Sequence, residues 1–279
     1  MSAACTVPAV RARKGEGPPL VMVTAYDTPS ARIVDDAGVD IVLVGDSVAM
    51  VVLGYEDTLQ VTVEDMAHHV GAVARAKPKA LLVADMPWLS FHLGPADTVR
   101  NAAALVRAGA AAVKVEGGRK RLEAIGALLD AEIPVMGHLG LTPQSVHALG
   151  GYRVQAKELD AARLLLEEAE ALAEAGVFSI VLECVPEAVA RMVTEAVPVP
   201  TIGIGAGAGC DGQVLVFHDL LGLNGGHQPK FVRRYAELGV EATAAVARYA
   251  EDVRARRYPG EAESYAFAAE APYSKAVSA

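Results

Sequence analysis

Residues 111–118, AAVKVEGG, decide the fold. The segment is short, β-branched and almost wholly apolar, as a strand buried on both faces of a parallel sheet must be, yet it carries Lys114 and Glu116. Two residues apart in a strand, those side chains point to the same face. Seven further segments read as strands of the same kind: 20–25 (LVMVTA), 39–45 (VDIVLVG), 80–85 (ALLVAD), 133–138 (IPVMGH), 178–183 (FSIVLE), 199–204 (VPTIGI) and 213–218 (QVLVFH). Together they set Asp46, Asp85, Lys114, Glu116, His138 and Glu183 at the carboxyl ends of apolar runs, where parallel α/β folds gather their chemistry. Burying such charges without partners or a metal costs several kcal/mol per group, so the set points to one shared site.

Helical patterns separate the strands. Thr62 and Asp65 make a capping-box start before MAHHVGAVARA, and Gly38, Gly109 and Gly176 follow helical runs at C-cap positions. Eight such βα units over roughly 240 residues imply a single (β/α)8 TIM barrel with its active site at the strand carboxyl ends, a doubly wound open sheet being the alternative. No linker or composition break divides the chain. The barrel is expected over 19–258, between a flexible N-terminal segment (1–18) and a C-terminal tail (259–279) that are free or used in subunit contacts. The connections 46–61 and 139–157 are longer than ordinary loops and are expected to wall the site.

The 279-residue chain is 52% hydrophobic, enough for a large core, and its net charge of -9 with scattered Lys and Arg argues against nucleic acid or an anionic membrane as partner. Cys5, Cys184 and Cys210 are too widely spaced for a disulfide framework or a zinc site. With neither an apolar leader core nor a run approaching the roughly 20 apolar residues of a membrane helix, a cytoplasmic protein with reduced thiols is expected.

Lys114 beside Glu116 reads either as an internal ion pair or as a cation for an anionic substrate next to a metal. Asp46, Asp85 and Glu116 offer only oxygen donors, which favours Mg2+ over zinc. Glu183, set between apolar neighbours, suits a general base, or else a structural hydrogen-bonding acid. His138 could donate to substrate or to that glutamate, or be structural, and Ser47 could offer its N–H and hydroxyl to a carboxylate. His68 and His69 are adjacent on a helix and so do not face each other. GIGAGAG (203–209) lacks the Lys-Ser/Thr of a P-loop and reads as close backbone packing.

As a set, TAYD (24–27), LVGDS (43–47), VKVEGG (113–118), GHLGLTPQS (137–145), GGYRVQ (150–155), IGIGAG (202–207), DGQVLVFHD (211–219) and GGHQPKF (225–231) resemble the ketopantoate hydroxymethyltransferase family, in order, over residues 8 to 260. The resemblance implies a Mg2+-dependent barrel of the phosphoenolpyruvate/pyruvate type. Its reaction would carry a hydroxymethyl group from 5,10-methylenetetrahydrofolate to 2-oxoisovalerate through a Mg-stabilised enolate, giving ketopantoate for pantothenate and coenzyme A synthesis. Matched by position, Asp46, Asp85 and Glu116 fall on the family's metal ligands. Asp46, Ser47, Asp85 and Lys114 fall on its keto-acid contacts, and Glu183 on its proton acceptor. A homo-oligomer, a decamer of pentamers, is implied as well. Ala49 and Ala156-Lys157 depart from the family's usual Gly and Gly-Arg. Three other readings remain at this point: a folate-independent lyase of the same barrel group, a Schiff-base enzyme using Lys114, and a non-catalytic barrel.

Overall fold

Period-two alternation sorts each strand's residues between two cores, and the computed structural model, which describes residues 4–225 and 228–266, shows both. The strands are β1 (Leu20–Thr24), β2 (Ile41–Val44), β3 (Leu81–Asp85), β4 (Ala112–Glu116), β5 (Val135–Gly140), β6 (Ser179–Glu183), β7 (Thr201–Ile204) and β8 (Gly212–Leu215). All pair in parallel in chain order, and β8 returns to β1 with Leu20 opposite Gly212, closing the barrel. That closure excludes the open sheet.

Leu20, Met22, Ile41, Leu43, Leu81, Val83, Ala112, Met136, Val181, Ile202 and Val214 fill the interior. Their neighbours Val42, Val44, Leu82, Ala84, Val113, Val115, Ile180 and Leu182 face the helices. Those are α1 (Val7–Arg11), α2 (Thr28–Asp36), α3 (Val48–Val51), α4 (Val63–Ala74), α5 (Pro95–Ala108), α6 (Leu122–Asp130), α7 (Val146–Leu149), α8 (Leu159–Ala175), α9 (Glu187–Ala196), α10 (Phe217–Leu220) and α11 (Leu238–Arg254). The Thr62–Asp65 capping box opens α4, and Gly176 closes α8 in the left-handed conformation. No helix among the described residues is long and apolar enough to cross a membrane.

Three expectations change. Residues 7–11 are not a loose segment: they form α1, whose Val10 is buried against the barrel floor, and Lys14 pairs with Asp211 at 2.9 Å. The eighth strand stops at Leu215 rather than His218, because the Phe217 N–H donates to Thr24 Oγ1 at 2.9 Å and the chain turns into α10. His138 lies within β5, which runs on to Gly140. The connections 46–61 and 139–157 hold α3 and α7 respectively. Gly226 and His227 of GGHQPKF, and the tail beyond 266, lie outside the described residues.

Gly140 is the tightest strand end. It has φ +91, and a Cβ there would lie 2.2 Å from the Glu183 carbonyl oxygen. Gly140→Ala should lower stability by about 2 kcal/mol or more, combining a left-handed backbone with overpacking. Urea unfolding checks this, and an unchanged midpoint would show that the strand end yields.

Candidate active site

Strand register assembles the centre of the site. β3 and β4 pair with Asp85 opposite Lys114, and β4 and β5 with Glu116 opposite His138. All four face inward above the apolar layer of Val83, Ala112 and Met136, and none is more than 5% exposed. Lys114 Nζ lies 3.0 Å from Asp85 Oδ1 and 3.1 Å from His138 Nδ1. His138 Nδ1 is 3.4 Å from Glu116 Oε1, and its Nε2 is 3.2 Å from Glu183 Oε2.

The β2–α3 turn adds Asp46, also buried, whose N–H donates to Asp85 Oδ2 at 3.0 Å. Ser47 follows, its Oγ 2.9 Å from the Tyr26 hydroxyl. His69 is structural, its Nδ1 2.7 Å from the Tyr26 carbonyl oxygen. Glu183 ends β6 as the least buried of the acids, its side chain 16% exposed. The next residue, Cys184, holds φ +48, and its carbonyl accepts from Gln155 N–H at 2.8 Å, tying the second long loop to the base of Glu183. In that loop Ala156 adopts φ +53. A left-handed conformation there explains why glycine suits the position and why alanine strains it.

The charges are mutually dependent. Burial works to lower Lys114, but Asp85, Glu116 and Asp46 outweigh it and hold the ammonium above its usual range. Burial and Lys114 also push His138 down, yet Glu116 and Glu183 raise it to about 9. Its Nδ1 thus sits between the Lys114 ammonium and Glu116 Oε1, accepting from the first when the ring is neutral and donating to the second when it is protonated. Glu116 is lowered: burial opposes this, and His138, Lys114 and the Gln144 N–H prevail. Asp46 and Asp85 are raised, first by burial; the charges of Asp85 and Glu116 push Asp46 further, and Lys114 only partly relieves Asp85.

Four carboxylates thus face two cations in one buried cluster, an excess that a divalent cation would neutralise. The expected three-carboxylate cage is not formed. Among the described residues no three His, Cys, Asp or Glu side chains converge as metal ligands. Both Glu116 oxygens are engaged, Oε1 by His138 and Oε2 by the Gln144 N–H at 3.1 Å. Asp46 and Asp85 still fit a hard cation, since Mg2+ commonly takes one or two carboxylates and completes its sphere with water and substrate oxygens.

Gln144 is the residue that sequence reasoning missed. Its Nε2 donates to Asp46 Oδ2 and to the Met86 carbonyl, each at 2.9 Å, while its Oε1 is buried without a partner. An uncharged amide inside LTPQS carries no chemical signature of its own; only the convergence of β2, β3 and β4 on it reveals the role. Tyr26, within TAYD, was likewise hidden, because its function is to hold Ser47.

The family model described as ketopantoate hydroxymethyltransferase matches residues 4–261. The chain belongs to that family. The 3-methyl-2-oxobutanoate hydroxymethyltransferase of Methylobacterium sp. (strain 4-46) is 57% identical over 261 residues, covering 94% of this chain and 91% of that one. The enzyme of the same description from Ignicoccus hospitalis is 58% identical over 245 residues, covering 88% and 93%. Among solved structures, 2,3-dimethylmalate lyase, a PEP mutase/isocitrate lyase superfamily member, superposes with a TM-score of 0.60 at 19% identity, over 95% of this chain and 89% of that one. That likeness is one of barrel fold, and the family membership makes the chain a hydroxymethyltransferase.

The Lys114–Asp85 pair is the structural keystone of the cluster. Lys114→Met should destabilise the protein by about 3 kcal/mol, since removing one partner strands a buried charge, whereas adding Asp85→Asn should restore most of the loss. Denaturant midpoints of the two single variants and the double variant measure this. Additive losses would mean that the pair is not coupled.

Proposed function

We propose that this protein makes ketopantoate from 2-oxoisovalerate and 5,10-methylenetetrahydrofolate, with Glu183 as the base that takes the C3 proton. The observation that supports it is the linked chain of buried side chains that runs from Asp46 through Asp85, Lys114 and His138 and reaches the rim at Glu183. Within that chain Glu183 alone has substantial access to the barrel mouth, so the proton acceptor and the substrate approach coincide.

Each side chain then has a task. Lys114 and the Ser47 hydroxyl would bind the keto acid's oxygens, with Tyr26 holding Ser47 in place. His138 orients Glu183 through its Nε2 and is held by Glu116, which is held by the backbone of Gln144. Asp46 and Asp85 would hold Mg2+, with Glu116 bracing His138 beside them; the ion, when bound, would polarise the keto group as a Lewis acid. The C3 proton passes to Glu183, and a bond forms between C3 and the donor's methylene carbon. Water supplies the hydroxyl oxygen as tetrahydrofolate leaves, so one water is consumed per ketopantoate.

Lys114 does not suit the Schiff-base alternative. A nucleophilic amine needs a depressed pKa, and Lys114 is held charged by its acids. The homo-oligomer belongs to the same proposal: α11 has no buried residue and leaves Val240, Val246 and Tyr249 exposed, a face that a second copy would cover.

Glu183→Gln should bind 2-oxoisovalerate yet lose exchange of its C3 proton with D2O, by about 100-fold or more for a lost general base. Exchange followed by NMR decides this, and a wild-type rate in the variant removes Glu183 from the role. Stripping the protein with EDTA should abolish ketopantoate formation and Mg2+ should restore it; full turnover by metal-free protein would refute the assignment to Asp46 and Asp85.

A further inference from the structure

The connection 139–157 runs between two cavities. An aromatic one, lined by Trp88, Phe91 and Gln144, opens beside the acid cluster. Behind the connection a second, of about 230 Å3, is lined by Gly140, Gln155, Ala156, Leu164 and Leu165. Close packing therefore does not hold this loop by itself, and its hydrogen bonds have to. The bond at its far end reaches the residue after the proposed base: Gln155 N–H donates to the Cys184 carbonyl at 2.8 Å. The other side of Cys184 is clamped as well. Its own N–H donates to the Ile204 carbonyl of β7 at 2.9 Å, and the Glu183 carbonyl just before it accepts from the Leu141 N–H, at the end of β5, at 2.8 Å. Three hydrogen bonds from three neighbouring segments thus fix two successive peptide groups.

The conformation they fix is one that cysteine seldom adopts. Cys184 has φ +48, a left-handed backbone in which Cβ crowds the following carbonyl. The sequence explains why the turn falls there. Pro186 disfavours helical backbone at Val185, and Val185 is buried, so the reversal from β6 into α9 is made at Cys184. The thiol is not what the turn serves: burial first, and then Glu183, push it up to about 11, so it stays protonated and inert. A strained residue persists only where its surroundings over-determine it, and beside a reactive group such strain preorganises the site.

We propose that Cys184 is a positioning residue for the reaction: its left-handed turn, clamped by β5, β7 and the second long loop, sets the backbone from which Glu183 reaches both His138 Nε2 and the barrel mouth. The inference rests on the reading of Glu183 as the base. Rotation of the clamped peptide would swing the carboxylate away from its histidine, and a misplacement of about 1 Å in a catalytic group costs on the order of 100-fold in rate.

Cys184→Thr, β-branched and strongly disfavoured in left-handed backbone, should lower the maximal rate of C3 proton exchange about 10-fold or more per folded molecule, with KM for 2-oxoisovalerate held within about two-fold. Cys184→Asn and Cys184→Gly, both tolerant of that conformation, should recover most of the rate lost in the threonine variant although neither has a thiol. A role in stability alone would shift the urea midpoint and leave the rate per folded molecule unmoved in all three, which overturns the proposal. An equal loss in all three overturns it too, since the thiol and not the turn would then matter. If the threonine variant does not fold, the wild-type protein decides: its Gln155 amide should exchange with D2O about 100-fold or more slowly relative to a free amide, as a clamped group does, and an unprotected amide removes the clamp and the proposal. Wild-type exchange in Cys184→Thr removes Cys184 alone, whereas wild-type exchange in Glu183→Gln removes the base and its positioning residue together.

Discussion

A buried lysine governs this structure. Lys114 sits inside the barrel with its ammonium against Asp85, and its burial is tolerable only while that contact holds. The contact in turn depends on register, because Asp85 meets Lys114 only while β3 and β4 stay in phase. A one-residue slip would turn Asp85 and Lys114 toward the helices and Ala84 and Val113 inward. The apolar layer beneath them and the charged layer above them therefore specify the same register, one by packing and the other by electrostatics.

The acids are not equivalent, and environment is what sorts them. Glu116 gains a ring N–H and a backbone N–H and stays ionised, whereas Asp46 and Asp85 crowd each other and are raised by burial. Glu116 thus braces His138, while Asp46 and Asp85 carry carboxyls whose charge Lys114 only partly offsets. Gln144 joins the two groups, giving its backbone N–H to Glu116 and its side-chain amide to Asp46. A single loop residue couples the Glu116–His138 half of the cluster to the aspartate half.

Much of this was legible in the chain because barrel strands announce themselves twice, by apolar continuity and by the polar residue at their end. AAVKVE and ALLVAD showed both signals and fell within a residue of β4 and β3. QVLVFH showed only the first, and the strand ended early because the Thr24 hydroxyl, far away in sequence, captures the Phe217 N–H. The short helix α1 was illegible for a related reason: five residues cannot display a period, and Val10 is fixed by the barrel floor rather than by its own neighbours. Charged site residues were visible by chemistry, while Gln144 and Tyr26 act through uncharged groups whose partners, Asp46 and Ser47, lie in the turn after β2.

The separation between acid cluster and aromatic cavity has a physical rationale. Removing a proton from carbon needs a charged base and a cation-holding pair in a dry, low-dielectric site, where electrostatic interactions are strongest. Apolar rings set among four carboxylates would strip them of hydration without pairing them, so Trp88 and Phe91 stand to one side of the cluster. Trp88 and Arg121 stand on the loops after β3 and β4, the strands that carry Asp85, Lys114 and Glu116, so the aromatic wall and the centre of the charged cluster meet within one pair of βα units. Gln144 closes the boundary, its buried Oε1 still without a donor where the two regions meet. A buried amide oxygen without a donor is costly, so Gln144 is kept there by what its N–H and Nε2 do for Glu116 and Asp46 rather than by its own carbonyl.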